Sequence, residues 1–273
     1  MKISVSNIAW GNKSLIYFLE YIRKLGCSGV EIAPSVIWPE PIKSSKEERM
    51  NLLDSIKKTD LELVGFHSLL YNRPDLQLFL NKDSRKATKD YICDLASMCS
   101  ELGGKQLIFG SPKNRLLHGK KYDECVKQAT EDFFEVAEFS KKKNVFFCIE
   151  PLGRDETEFI QSLKEGGDMV KKINHPYFKL HLDSKAIFST KENPDEITKK
   201  YRQFLQHVHV GDENLLEPGT VNTDHYKIGA ALRNINYSKY ISIEMRENEK
   251  DVEASLTRSI SYVKKNYLGE GNE

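Results

Sequence analysis

The sequence lacks the features that would assign it to several large classes of protein. No hydrophobic run approaches the ~18 apolar residues that a membrane span needs. Lysine and arginine number 41 against 40 aspartates and glutamates, so the basic surplus usual in nucleic-acid binders is missing. The five cysteines include no CxxC pair, and the first ten residues carry no secretory signal. These absences predict a cytoplasmic protein with reduced thiols and no nucleic-acid or membrane partner.

A glycine-rich phosphate-binding loop is missing as well. The first β-type run, residues 3–6, is followed by the letters NIAWG, and no GxGxxG or Walker pattern occurs elsewhere. A doubly wound open sheet usually carries such a loop after its first strand. The open sheet is therefore the less favoured of two α/β architectures.

Short runs rich in Val, Ile, Phe and Leu alternate with longer amphipathic patterns along the whole chain. Strict alternation predicts a parallel sheet covered by helices, and eight repeats in 273 residues fit a single (β/α)8 TIM barrel. We expect one domain over residues 1–273, with a tail that frays from about residue 268. The predicted strands are residues 3–6, 30–33, 61–67, 106–110, 145–150, 178–183, 207–210 and 240–245. The predicted helices are residues 15–25, 47–58, 83–102, 122–143, 157–173, 195–204, 226–234 and 252–266.

Four consecutive predicted strands end in side chains that bind metal ions. They carry Glu150, Asp183, His209 and Glu244 in that order. In a parallel barrel the carboxyl ends of the strands meet at the catalytic face. Three carboxylates and an imidazole gathered there would repel one another or stay unsatisfied without a cation, so we predict one divalent ion. The oxygen-rich set favours Mn²⁺, with Mg²⁺, Co²⁺ and Zn²⁺ as alternatives.

Other polar residues point into the barrel according to the two-residue period of a strand. His67 ends the third strand, and we expect it either to touch a substrate or to be hydrogen-bonded in the core. His181 and His207 lie two residues before the sixth- and seventh-strand ligands, which predicts structural roles one layer deeper. Glu31 points inward from the second strand and is expected to pair with a deep histidine.

Three parts of the sequence form recognisable motifs: IEPLGRDET from residue 149, KLHLD from residue 179, and HVHVG from residue 207 with SIE from residue 242. These stretches resemble the xylose-isomerase-like barrels of sugar isomerases and epimerases, and most of all the ketose 3-epimerases of the D-tagatose/D-psicose type. The stretch IEPLGRDET is the most specific of the three, because it is typical of the ketose epimerases and not of the wider group of barrels. The resemblance extends over essentially the whole chain and implies a carbohydrate substrate, a bound divalent metal and a homo-oligomer, either a dimer or a tetramer.

The resemblance also implies a reaction. In this family a divalent ion polarises a sugar carbonyl, so that the neighbouring carbon loses its proton and an enediolate forms. Glu150 and Glu244 are then the two acid/base groups on opposite faces of that carbon, besides being metal ligands. Glu156 matches a family glutamate that orients the first of them and interacts with substrate. We therefore expect a sugar or sugar-phosphate isomerase or epimerase.

Two positions depart from the ketose 3-epimerase pattern. Ala186 stands where the family typically has a histidine, and Leu215 stands where it typically has an arginine. Both family residues grip the sugar near the reacting carbons, so these departures weaken the case for a free ketose. Cations near the strand ends lead instead to the hypothesis of an anionic sugar, such as a sugar phosphate or a sugar acid. The predicted substrate-binding cations are Lys113, Arg115, Lys185 and Arg246.

Three other functions remain as alternatives. A metal-dependent dehydratase of a keto-polyol, of the inosose dehydratase type, would use a similar site and the same first step. An apurinic-site endonuclease would need a trinuclear zinc cluster with more histidines than these strand ends supply, and Asp224 with His225 gives only a loose match. A non-catalytic sugar-binding barrel would be expected to lack a metal ligand, whereas all four are present.

Overall fold

The computed structural model describes residues 1–221, 223–248 and 250–270 as a closed parallel barrel. Each strand pairs in parallel with the next, and the eighth closes the barrel by pairing with the first. The predicted (β/α)8 TIM barrel is confirmed, and the open sheet is excluded. The strands are β1 (Lys2–Ser6), β2 (Gly29–Ile32), β3 (Glu62–Phe66), β4 (Gln106–Phe109), β5 (Phe146–Ile149), β6 (Phe178–Asp183), β7 (Leu205–Val210) and β8 (Tyr240–Ile243).

Ten α-helices lie among the described residues, outside and between the strands. None of them is long and apolar enough to cross a bilayer. They are α1 (Leu15–Lys24), α2 (Pro34–Ile37), α3 (Lys46–Lys58), α4 (Lys82–Glu101), α5 (Tyr122–Lys142), α6 (Leu163–Ile173), α7 (Ser184–Thr190), α8 (Pro194–Tyr201), α9 (His225–Asn234) and α10 (Val252–Val263).

Side chains at helix starts decide where two of these helices begin. At α3, Ser45 Oγ accepts a hydrogen bond from Glu48 N, and Glu48 Oε2 accepts one from Ser45 N. At α6, Ser162 caps the first turn by accepting from Glu165 N. The helix predicted from residue 157 therefore starts only at Leu163, and residues 157–162 belong to a loop after β5.

The C-terminal end stays ordered further than the sequence suggests. A π-helix at Lys264–Leu268 follows α10 directly, and its Tyr267 is fully buried. The amide of Glu270 still donates to the carbonyl of Lys264. Residues 271–273, the end of the tail predicted to fray, lie outside the described residues.

The two faces of the barrel wall differ in polarity. Along β6 and β7, Leu182 and Val208 belong to the apolar layer between the strands and the helices. The residues that alternate with them point into the barrel, and these four are polar and at most 1% exposed: His181, Asp183, His207 and His209. A polar interior of this kind requires internal partners for each group.

A second buried polar network anchors the loop after β7. Asp212 Oδ2 accepts hydrogen bonds from the backbone amides of residues 219–221, at 2.9–3.1 Å. Its Oδ1 lies 2.9 Å from His225 Nε2, and His225 Nδ1 lies 2.8 Å from the Tyr267 hydroxyl. Burial opposes ionisation of Asp212, but His225 and the loop amides outweigh it and hold the pKa of Asp212 below its usual value. The carboxylate thus ties one rim of the mouth, the carboxyl end of the strands, to the C-terminal π-helix.

Replacing Asp212→Asn should lower the free energy of unfolding by about 1–3 kcal/mol, because an amide cannot accept all of these hydrogen bonds. Chemical denaturation at pH 7 measures this loss. The pKa of Asp212 is lower in the folded protein than in the unfolded chain, where it is about 3.9. The ionised carboxylate therefore stabilises the fold at higher pH, and this contribution is lost as the pH falls from the unfolded-chain pKa through the folded-state pKa. The difference in free energy of unfolding between the original protein and Asp212→Asn should therefore become smaller below about pH 4. Asp54→Asn, on the exposed face of α3, serves as the matched control.

Candidate active site

Four side chains from consecutive strands converge at the mouth of the barrel. We call Glu150, Asp183, His209 and Glu244 the donor set, because one ligand atom from each lies within 4.8 Å of all the others. His209 Nδ1 is 3.2 Å from Glu150 Oε1 and 3.4 Å from Glu244 Oε2. All four residues are buried. The sequence predicted all four members, and the fold brings them together.

The donor set fits a divalent cation. Asp183 Oδ2 is buried and makes no hydrogen bond to any described residue, although the Lys185 ammonium lies 3.1 Å away as an ion-pair partner. Burial and the neighbouring carboxylates of Glu150 and Glu244 raise the pKa of Asp183 to about 7, against the opposing effect of Lys185. Such crowding of carboxylates is relieved when a divalent ion is shared between them. Oxygen donors with a single imidazole suit Mn²⁺ or Mg²⁺.

Glu31 fixes the orientation of His209 from below. Glu31 Oε2 lies 2.8 Å from His209 Nε2, and Glu31 Oε1 lies 3.1 Å from His207 Nε2. Burial would raise the pKa of Glu31, but the two histidines outweigh it and hold that pKa well below its usual range. Because Nε2 is engaged, Nδ1 of His209 is the nitrogen that faces the donor set. The expected pairing of Glu31 with a deep histidine is thus found, and it includes the ligand histidine.

The deeper histidines differ from His209 in the direction of their pKa shifts. Burial lowers the pKa of both His181 and His207, so these rings are neutral at physiological pH. Burial would do the same to His209, but Glu31 and Glu244 outweigh it and raise its pKa well above the usual range. His181 Nε2 is 3.4 Å from Glu150 Oε1 but makes no hydrogen bond.

His67 lies beside Glu244 rather than on an open surface. Its Nδ1 is 3.1 Å from Glu244 Oε1, and its Nε2 is 2.6 Å from Ser6 Oγ. His67 is 1% exposed. It therefore holds one oxygen of the Glu244 carboxylate in place. No pattern in the sequence indicated Ser6, because its contact with His67 depends on how β1 and β3 lie in the closed barrel.

Lys185 is the predicted cation that reaches the donor set. Its Nζ lies 3.1 Å from Asp183 Oδ2 and 3.4 Å from Glu244 Oε2. Burial acts to lower the pKa of Lys185, but the surrounding carboxylates outweigh it and raise that pKa well above its usual range. The same ammonium, with His209, holds the pKa of Glu244 well below its usual range despite burial.

The remaining predicted residues lie around the rim. Glu156 is exposed on the loop after β5, where its Oε2 accepts a hydrogen bond from Gly153 N, and it shares a cavity of about 260 Å³ with Lys185. Lys113 is exposed and lines a cavity of about 440 Å³ between the loops after β3 and β4. Arg246 is exposed in a third cavity after β8.

Arg115 corrects one prediction. It is 0% exposed, and its Nη2 donates to the backbone carbonyl of Glu150 at 3.0 Å. Burial lowers the pKa of Arg115 to about 10, opposed by the carboxylates of Glu150 and Glu156. Its side chain is buried, so Arg115 supports the chain at Glu150 and is not a solvent-facing cation.

Gly110 leaves the space that the Glu150 carboxylate occupies. A Cβ at this position would collide with Glu150 Oε2. The sequence showed only a glycine at the end of β4, so this requirement was not predicted.

Comparison with known proteins assigns the barrel to a family. The family described as "Xylose isomerase-like TIM barrel" matches residues 19–265. The chain belongs to this family.

Relatives within the family are epimerases. A D-psicose 3-epimerase from Ruminiclostridium cellulolyticum is 26% identical over 84% of this chain and 77% of its own length. A 3-dehydro-D-guloside 4-epimerase from Escherichia coli is 20% identical over 97% of this chain and 99% of its own length. These relatives confirm the prediction of an isomerase-class enzyme.

Solved structures show the same xylose isomerase-like barrel. The crystal structure of D-psicose 3-epimerase with D-tagatose from Clostridium cellulolyticum H10 superposes with a TM-score of 0.82, at 21% identity over 98% of this chain and 99% of that one. The 3-keto-D-glucoside 4-epimerase of Escherichia coli superposes with a TM-score of 0.81, at 19% identity over 97% and 99%.

Within this family barrel, Glu31→Gln should weaken Mn²⁺ binding by about 10- to 100-fold, because His209 loses the carboxylate that orients it. Isothermal titration of the metal-stripped protein with MnCl2 measures the change. Glu62→Gln, at the exposed start of β3, provides the control and should bind as tightly as the original. Unchanged affinity in a folded Glu31→Gln protein would contradict the positioning role.

Proposed function

We propose that this chain is a divalent-metal-dependent sugar epimerase that moves the proton on a carbon next to a carbonyl group. The observation that carries the proposal is the order of the donor set around the mouth. Glu150 directly follows β5 and Glu244 directly follows β8. Asp183 of β6 and His209 of β7 lie between them. The two glutamates therefore lie on either side of His209, which suits acid/base work on opposite faces of one carbon.

A divalent ion bound by the donor set supplies Lewis-acid polarisation of the substrate carbonyl. Mn²⁺ is the ion we propose. Glu244 starts as a carboxylate, because its pKa lies well below the usual range, and His67 fixes its Oε1 by hydrogen bonding. One glutamate takes the proton, and the other returns one from the opposite side. Arg115 holds the Glu150 backbone through the carbonyl oxygen.

The names of the relatives, together with the two departures from the ketose 3-epimerase pattern, support a keto-sugar as the substrate. The relatives' names specify epimerisation at C3 of D-psicose and at C4 of a 3-dehydro-glycoside. Both reactions take place on the carbon beside a ketone. Because Ala186 and Leu215 replace side chains expected to grip a free ketose, we also consider a keto-sugar derivative. We further propose a cytoplasmic homo-oligomer, and regard the keto-polyol dehydratase as less favoured because these relatives are epimerases.

Proton NMR in deuterated water tests the reaction. We expect the Mg²⁺-loaded protein to place deuterium next to the carbonyl of at least one member of a panel of free ketoses, ketose phosphates, keto-acids and 3-keto-glycosides. Glu150→Gln and Glu244→Gln should each slow that exchange by at least about 10²-fold, because either change removes one proton-transfer group.

The control is Glu62→Gln, which lies at the opposite end of β3 and should exchange at the original rate. Absence of exchange with every panel member, from a protein that binds one metal ion, would contradict the proposed reaction. The chemical identity of the product would separate epimerisation from isomerisation and dehydration.

An anionic substrate is tested at Lys113, the exposed cation of the 440 Å³ cavity. If the substrate carries a phosphate, Lys113→Ala should raise its KM about tenfold with little change in kcat, because one charge-assisted contact is lost. The unphosphorylated ketose should be unaffected. Lys120→Ala, exposed further along the same loop, is the control variant. Equal kinetics of both variants on every anionic substrate would remove Lys113 from the substrate contacts.

A further inference from the structure

Lys185 differs from the other cations of the mouth because its ammonium group lies inside the site. Its side chain is 11% exposed, and Nζ is within 3.4 Å of carboxylate oxygens from Asp183 and Glu244. Lys113 and Arg246, by contrast, are exposed on the rim. An ordinary surface ion pair does not explain this position, because such pairs hold exposed side chains and contribute little energy.

The local structure holds Lys185 in this direction. Lys185 is the second residue of α7, and helical side chains lean toward the helix N-terminus, which here is the end of β6. Asp183 Oδ1 accepts a hydrogen bond from Lys185 N at 2.8 Å, so main chain and side chain bind the same carboxylate. The adjacent Ala186 is buried and brings no polar group.

Lys185 also faces the cavity in which a substrate would lie. The cavity of about 260 Å³ is lined by Lys185, Glu156, Ser189 and Leu215, among others. The ammonium therefore lies between the donor set and this cavity. A cation in that position acts on both a bound metal ion and a bound sugar.

We propose that Lys185 is a second, fixed cation of the active site, which contacts the substrate oxygen that becomes negative and weakens the binding of the divalent ion. The substrate half of this inference rests on the proposed function. When the proton leaves for a glutamate carboxylate, the electron pair of the C–H bond moves toward the carbonyl oxygen. An ammonium beside that oxygen stabilises the charge that develops there.

The charge balance of the site gives the physical reason. Three carboxylates, a neutral imidazole and a divalent ion leave one net negative charge, which opposes formation of a second anion. The ammonium of Lys185 offsets this negative charge of the donor set. Like charges at a few ångströms repel strongly in a buried site, so the same ammonium must lower the affinity for the metal.

Lys185→Met separates this role from a structural one, because the methionine keeps the apolar stem and removes the charge. We expect the metal-stripped variant to bind Mn²⁺ about tenfold more tightly in isothermal titration. With the sugar that the original protein exchanges, kcat should fall about 10²-fold. Lys185→Arg restores the charge and should return the Mn²⁺ affinity toward the original value.

Lys172→Met, on the exposed side of α6, is the matched control and should change neither quantity. Thermal unfolding of each variant establishes that the barrel is intact. Equal or weaker Mn²⁺ binding by folded Lys185→Met would overturn the inference, and this outcome does not depend on turnover. If the original protein exchanges no sugar, the proposed function fails, whereas tighter binding by Lys185→Met still supports Lys185 as a cation that opposes the metal.

Discussion

The buried carboxylate of Glu31 sets the arrangement on which the mouth of the barrel depends. It is enclosed by the strands and is held by two imidazoles, those of His207 and His209. A lone carboxylate in this interior would be very costly, and the pairing makes it tolerable. Because Glu31 binds Nε2 of His209, the Nδ1 nitrogen of that ring faces the donor set. The donor set is therefore positioned by the layer beneath it and not by its own four residues alone.

The layer above that pairing carries an excess of negative charge. Three carboxylates share a small volume, and the groups that compensate them within the protein are His209 and Lys185. Both cations act to lower the pKa of the neighbouring carboxyls, but the outcomes differ. Burial with Glu150 and Glu244 raises the pKa of Asp183 to about 7, whereas the pKa of Glu244 is held well below its usual range. Neighbouring carboxylates that differ in this way suit a site where metal binding and proton transfer use the same residues.

The strands of the barrel wall and the loops at its mouth contribute differently to the site. Arg115 and Gly110 act on the chain around Glu150, one by supporting its carbonyl and the other by leaving room for its carboxylate. Asp212 secures the loop after β7, which contributes Leu215 to two of the cavities. The fixed wall thus holds the acid/base groups, while the loops shape the space in which a sugar and its substituents would lie. This division agrees with the variation of chemistry by loop replacement that the fold allows.

The eight strands, their order and the four members of the donor set could be predicted from the sequence alone. Periodicity fixes which side chains face inward, and parallel strands end together, so residues at strand ends need no tertiary information to be grouped. The positions of the cations could not be predicted in this way, because they depend on the assembled barrel. The ammonium of Lys185 reaches the donor set, and Arg115 is buried against the Glu150 carbonyl. Lys113 and Arg246 lie on the rim. Long side chains on loops, or in the first turn of a short helix, do not follow the two-residue period of a strand. Their direction depends on the space and charge that the assembled barrel offers them.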